Sequence, residues 1–184
     1  MSSTNRGAER RENDAYYTPD DLAAKLVGLL PIGETDSVLE PHVGGGAFLR
    51  ALEGGPFRGF TMACDADHTA PGLTLADERK IGDFLTCSWE ADWIIGNPPF
   101  TGFEAHLDKA LTLAPNVAFL LRLAAMESTK RIEPWTRWPL RKVWVLAERP
   151  SFTGGKTDSC AYGWFWFERG FGGPAEVMPG WSWK

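Results

Sequence analysis

The stretch Ser37–Gly55, SVLEPHVGGGAFLRALEGG, decides the fold. Val38 and Leu39 form a short apolar run that ends on Glu40 and Pro41. Gly44, Gly45 and Gly46 then make a turn. From Ala47 the apolar residues recur at helical spacing until Gly54 and Gly55 stop them. Strand, glycine turn, helix is the unit from which mainly parallel sheets are built.

Outward from it the pattern repeats. Upstream, YYTPDDLAAKLVGLL predicts a helix: Thr18 can cap it, Pro19 suits the first turn, Asp20 and Asp21 favour its dipole, and Leu22, Leu26, Leu29 and Leu30 form a stripe. Downstream, FRGFTMACDAD reads as a second strand ending in acids, RKIGDFL as a third, and DWIIGNPPF (residues 92–100) as a fourth. A helix over about Gly102–Leu113 and a fifth strand, VAFLLR, follow. LAAMESTKRIEPWTRWPLRK predicts a helix broken near Pro134 and Pro139. The runs VWVLAE and CAYGWFWFERG then flank a glycine-containing loop, RPSFTGGKTDS. The expected architecture is α/β: a mainly parallel, seven-stranded sheet with one antiparallel strand and helices on both faces.

The bulk numbers agree with one such unit. A chain of 184 residues, 43% hydrophobic, fills one core, usual domains being roughly 100–200 residues. Residues 1–14 are polar and aperiodic, predicting a disordered tail; 15–169 form the domain; 170–184, rich in Gly and Pro, are expected to be irregular. There is no run of 18 apolar residues and no apolar leader, so no membrane association is expected and the location read is the cytoplasm. Cys64, Cys87 and Cys160 lack a CxxC pairing, and His42, His68 and His106 form no ligand set, so no metal is expected. The net charge of -5 hides an asymmetry: residues 1–120 carry 9 basic and 18 acidic side chains, residues 121–184 carry 10 and 6. Any basic surface belongs to the last third.

The chemically distinctive residues stand at carboxyl ends of predicted strands, where open parallel sheets bind ligands: Glu40, Asp65, Asp83 and Asn97. Gly44 and Gly46 allow close backbone approach, but Leu49 stands where the dinucleotide fingerprint has its third glycine. Asp65 suits ribose hydroxyls. Several carboxylates and few cations disfavour a pyrophosphate and favour an adenosine-like ligand with a cationic centre.

Asn97–Phe100, NPPF, resembles the (D/N/S)-P-P-(Y/F/W) signature of the S-adenosylmethionine-dependent amino-methyltransferases, and EPHVGGGAF resembles their cofactor loop. YYTPDDLAAKLV is similar to their N-terminal cofactor motif, ACDAD to their ribose acid, and GDF to their adenine-contacting acid. The order of motifs is similar to that of the gamma-like DNA adenine enzymes, and RPSFTGGKTDSCAYGWFWFERG to the C-terminal block of small phage and prophage DNA N6-adenine methyltransferases; the likeness spans about Tyr16 to Glu168. It implies a Rossmann-like class I methyltransferase that uses S-adenosyl-L-methionine and flips adenine out of DNA. The implied cofactor residues are Tyr17, Thr18, Pro19, Glu40, Pro41, Gly44, Gly46, Phe48, Asp65, Asp83 and Phe84; the implied catalytic residues are Asn97, Pro98, Pro99 and Phe100. A host is implied that is bacterial or phage-infected.

For DNA contact the candidates lie within residues 122–160. Phe152 can clamp a base, and Arg122, Lys130, Arg131 and Lys156 can hold phosphates, with Trp135 and Trp138 wedging or stacking. The same tryptophans also suit a solvated helix capping the core. The NPP(Y/F) motif also marks enzymes that methylate adenine in RNA or protein glutamine, and related ones act on cytosine N4; since no obvious target-recognition domain is seen beyond residues 122–184, a non-catalytic subunit that binds cofactor or DNA and needs a partner is a further alternative. The oligomeric state, monomer or homodimer, is left open.

Overall fold

Alternating apolar runs and amphipathic stretches become α1 (Asp20–Val27), β1 (Val38–Pro41), α2 (Ala47–Glu53), β2 (Thr61–Asp65), β3 (Glu78–Ile81), β4 (Trp93–Gly96), α3 (Phe103–Leu113), β5 (Asn116–Arg122), α4 (Ile132–Arg137), β6 (Leu140–Leu146), β7 (Tyr162–Glu168) and β8 (Glu176–Trp181). The computed structural model describes residues 17–152 and 157–184, so the expected tail at 1–14 and Lys156 lie outside the described residues.

The strands form one sheet in the order β3-β2-β1-β4-β5-β7-β6-β8. β1 to β5 run parallel, β7 is antiparallel to β5 and β6, and β8 is parallel to β6. The central strands are buried on both faces with period two. Trp93, Ile95, Ala118, Leu120, Tyr162 and Trp164 pack with α1 and α2. Ile94, Val117, Phe119, Leu121, Phe165 and Phe167 pack with α3 and with Trp135 and Trp138 of the α4 region. Each fully buried large side chain contributes about 1.5–3 kcal/mol, which is why YGWFWF, apolar at nearly every position, makes an interior strand.

Two expectations are corrected. The sheet has eight strands, because residues Glu176–Trp181 pair with β6 instead of being irregular. β8 is an edge strand whose residues are largely exposed and which contains Pro179 and Gly180, so it carries no apolar alternation to read. Lys142–Glu176 at 2.8 Å and the Ala147 amide on Trp181 O at 2.9 Å fasten it. The broken helix over 123–142 is reduced to 3-10 turns at Leu123–Met126 and Thr129–Arg131 and the six-residue α4, with Pro134 inside it. β6 starts at Leu140, directly after Pro139. Among the described residues no helix is long and apolar enough to cross a membrane.

Candidate active site

β1 and β4 are neighbours, but the chain leaves β1 toward β2 and β3 on one side and β4 toward β5 on the other. That reversal opens a crevice beyond their carboxyl ends. Gly96 lets the two strand ends approach: an added Cβ would lie 3.2 Å from Pro41 O. Glu40, the glycine loop and Asn97 consequently line one cavity of about 80 Å³ together with Tyr17, Thr18, Phe48 and Arg50.

The glycine loop is held by backbone geometry. Gly46 has φ 78° and stands before the first residue of α2. Its Cα packs so closely on Gly72 that a Cβ there would lie 2.8 Å from Gly72 Cα, while the Gly72 amide donates to Gly44 O at 2.9 Å. Glu40 is buried, and its Oε2 accepts from the Leu49 amide at 3.1 Å, capping the first turn of α2. Burial pushes its carboxyl well above the usual carboxylate range, opposed by the Leu49 amide and Arg50. Asp65 Oδ2 accepts from the Gly44 amide at 2.8 Å, so the acid at the end of β2 also shapes the loop. Asp83 is exposed and accepts from the Leu85 amide at 2.9 Å, beside the buried Phe84. Phe48 turns its ring into the core, stacked on Trp164 with centroids 5.4 Å apart.

The residues ahead of α1 close the cavity. Tyr17 lies against the loop, its ring 2.9 Å from where a Gly44 Cβ would be and 3.4 Å from a Gly45 one. Pro19 starts α1, its carbonyl accepting from the Ala23 amide at 2.9 Å. Thr18 Oγ1 accepts from Asn97 Nδ2 at 3.4 Å. This bond joins residues 79 apart in sequence and orients the carboxamide. Pro98 is buried and Pro99 exposed; neither has an N–H to compete for acceptors.

Phe100 sits in an aromatic group with Phe152 at 6.3 Å and Tyr162 at 5.6 Å. Arg122 covers its ring, the guanidinium carbon 4.3 Å from the centroid. Arg122 Nε donates to Tyr162 Oη at 3.2 Å and Nη2 to Asp158 Oδ2 at 3.3 Å, and Tyr162 donates to the same Oδ2 at 2.6 Å. Motif spacing gave no hint of Asp158 and Tyr162, which meet Arg122 only because β5 and β7 pair with Arg122 opposite Tyr162.

Among the described residues of the last third, several basic side chains are paired with carboxylates. Arg131 pairs with Glu104 at 2.6 Å, Arg137 with Asp108 at 2.8 Å, Arg141 with Glu168 at 3.0 Å and Lys142 with Glu176 at 2.8 Å. Lys130 is exposed. Trp138 is buried and Trp135 half-buried against the core, donating to Asp108 Oδ1 and Ala125 O respectively and packing with Phe165 and Phe167. Arg122 lies over the Phe100 ring.

A further pair went unread in the sequence. His42, at φ 61° in the glycine loop, brings Nε2 to 3.0 Å from His106 Nδ1 on α3, with Phe84 beside both rings. Burial, then His106, pushes His42 down to about 3, and burial lowers His106 as well. No group of three or more His, Cys, Asp or Glu among the described residues is arranged to hold a metal.

Comparison with solved structures gives the fold an independent reading. A proposed RNA methyltransferase of Pyrococcus horikoshii superposes with a TM-score of 0.71 at 18% identity over 90% of this chain and 93% of its own. The modification subunit of a proposed type I restriction enzyme from Vibrio vulnificus YJ016 gives 0.66 at 16% identity, over 89% of this chain and 46% of its own. Magnesium protoporphyrin IX methyltransferase from Synechocystis PCC 6803, with bound SAM, gives 0.56 at 11% over 82% and 77%. The fold is that of the class I methyltransferases. No family model and no curated protein matches the sequence.

Within a methyltransferase fold the residues at the switch point suit a sulfonium amino acid nucleoside. Asp65 and Asp83 offer carboxylates to hydroxyl and amino groups. The nearby cation, Arg50, is already committed to Asp20 at 2.6 Å and Gly45 O at 2.6 Å, which leaves little to hold a phosphate. A separate cavity of about 560 Å³ between α1 and α2 is lined mainly by apolar side chains and carries none of this chemistry.

Proposed function

We propose that the protein transfers the methyl group of S-adenosylmethionine to the N6 amino group of adenine in DNA. The observation that carries this reading is Asn97 at the end of β4, its carboxamide tethered to Thr18, in one cavity with Glu40 and the glycine loop and followed at once by Pro98, Pro99 and Phe100. When bound, S-adenosylmethionine supplies an electrophilic methyl on sulfur.

An adenine amino group is a poor nucleophile because its lone pair is delocalised into the ring. Asn97 Oδ1 and the Pro98 carbonyl each accept one N–H, which holds the nitrogen nearer to tetrahedral and localises the lone pair for in-line attack. With the cofactor bound, the nitrogen would take the methyl as S-adenosylhomocysteine leaves as a neutral thioether, and the resulting ammonium would lose its proton to solvent. Pro98 and Pro99 fix the backbone that carries these acceptors. Phe100, with Phe152 and Tyr162 around it, offers the surface on which a flipped base stacks. Unstacking and unpairing that base costs a few kcal/mol, on the order of 2–4. Glu40, Asp65 and Asp83, with Gly44 and Gly46, are the residues that would hold the cofactor.

The pairing of Arg131, Arg137, Arg141 and Lys142 with carboxylates supports a second reading, in which this chain supplies the methyltransferase fold and a partner chain supplies grip on nucleic acid. Incubation with tritiated S-adenosylmethionine and DNA, RNA or protein, followed by nucleoside analysis, tests both. Label in N6-methyladenine of DNA, lost by about 10²-fold or more in Asn97→Ala while cofactor binding persists, is the expected result. Absence of S-adenosylmethionine binding, or unchanged transfer by Asn97→Ala, defeats the proposal.

A further inference from the structure

The geometry points to Arg122 as a positioning residue for the target base, acting through Phe100, with Asp158 and Tyr162 as its anchor. This assignment rests on the amino-methyltransferase reading above and extends it from the cofactor and NPPF to the wall of the base pocket.

Arg122 is the last residue of β5, level with Tyr162, the first of β7. Its guanidinium lies over the Phe100 ring at 4.3 Å, within the range of a strong cation–π contact. Two of its nitrogens are fixed: Nε on Tyr162 Oη at 3.2 Å and Nη2 on Asp158 Oδ2 at 3.3 Å. Asp158 is fixed in turn. Its Oδ2 accepts from Tyr162 at 2.6 Å, its Oδ1 accepts from the Cys160 amide at 3.0 Å, and its own amide donates to Pro150 O at 3.0 Å. Phe152 and Tyr162 meet edge to face at 5.2 Å in the same group. A planar fork held at two points cannot rotate freely, so it fixes the tilt of the ring beneath it. A flexible ring would have to be ordered whenever a base stacked on it; a ring already ordered avoids that loss. The cation also withdraws charge from the ring, which favours stacking of an electron-rich purine. Stacking on an aromatic side chain is worth ~1–3 kcal/mol per base, so the tilt of Phe100 bears directly on capture of the flipped base.

The arrangement also commits the Arg122 charge to groups within the protein. Its charge is turned inward onto Phe100 and is balanced by Asp158, and its side chain is 32% exposed.

The test measures methyl transfer from tritiated S-adenosylmethionine to plasmid DNA prepared without adenine methylation. DNA concentration is varied for the wild type, Arg122→Ala, Arg122→Lys and Asp158→Asn. Calorimetric cofactor binding and thermal melting accompany each variant. Arg122→Ala is expected to lower kcat/KM for DNA by about tenfold or more, mainly through KM, with cofactor Kd within about twofold. Arg122→Lys restores the charge without the fork and recovers part of the loss, and Asp158→Asn falls between wild type and Arg122→Ala. If Arg122→Ala does not fold, the Lys and Asn variants carry the test.

Unchanged kcat/KM in these variants overturns the assignment. So does an increase, which would mean that the guanidinium occupies the place of the base, and so does a loss matched by equal losses in cofactor affinity and melting temperature. A wild-type protein that transfers methyl to no DNA, RNA or protein removes the underlying reading and this assignment with it, a result distinct from wild-type activity with insensitive variants.

Discussion

Alanine at Gly46 and at Gly102 separates two costs that a left-handed glycine can carry. Both residues precede a helix, α2 and α3, with φ of 78° and 77°. An added Cβ at Gly102 meets nothing within 4 Å, whereas at Gly46 it falls 2.6 Å from Leu75 Cδ1 and 2.8 Å from Gly72 Cα. Gly102→Ala therefore carries the left-handed backbone cost alone, about 1–2 kcal/mol. Gly46→Ala adds overpacking against a neighbouring backbone, about 1–3 kcal/mol more, for a total of ~2–5 kcal/mol. The leucine can rotate away; Gly72 Cα cannot move without shifting the turn at Pro71–Thr74, whose Gly72 amide is bonded to Gly44. The strain is thus relieved by displacing the glycine loop, and S-adenosylmethionine affinity should fall about tenfold or more in Gly46→Ala, while Gly102→Ala binds within a few-fold of wild type. Urea denaturation of the three proteins measures the first quantity and isothermal titration the second. Equal destabilisation by the two substitutions, or full cofactor affinity in Gly46→Ala, would refute the reasoning.

Thr18→Val removes the hydroxyl that accepts from Asn97 Nδ2; because that bond is long at 3.4 Å, kcat should drop by only about threefold to tenfold, read by initial rates at saturating cofactor. His42 and His106 are held below their ordinary value of 6.5, so the unfolded chain binds protons more readily than the folded one. Their contribution to stability is present above 6.5 and is lost as pH falls through the window toward about 3 for His42. Melting temperature should therefore fall on acidification, and His42→Asn, which tolerates positive φ, should flatten that fall; an unchanged slope would count against it. Arg169 Nη2 donates to Leu111 O and Ala114 O at 2.8 and 2.9 Å, satisfying carbonyls at the end of α3. Arg169→Ala should cost about 1–3 kcal/mol in chemical denaturation.

Much of this molecule is local enough to be read along the chain. The strands β1, β2, β4, β5 and β7 each bury both faces and so appear as short, continuous apolar runs, and α2 and α3 end where Gly54 and Leu113 end their apolar stripes. Asn97, Glu40, Asp65 and Asp83 are legible as strand-end residues because a parallel sheet brings all such ends to one side. β8 and the segment around α4 are different: an exposed edge strand has no buried face to impose alternation, and Pro134 is admitted in the first turn of a helix too short for periodicity.

What the sequence by itself determined is the order of strands and helices and the residue types delivered to the sheet's carboxyl edge, since these follow from hydrophobic period and turn chemistry among near neighbours. Only the tertiary structure decided which of those residues meet. Thr18 reaches Asn97, His42 reaches His106, and Arg122 turns inward to Phe100, Asp158 and Tyr162. Likewise Arg131, Arg137, Arg141 and Lys142, basic residues of the last third, are each balanced by a carboxylate. The physical reason is that a hydrogen bond or ion pair depends on distance in space, and strand pairing and sheet crossovers set that distance between residues tens of positions apart.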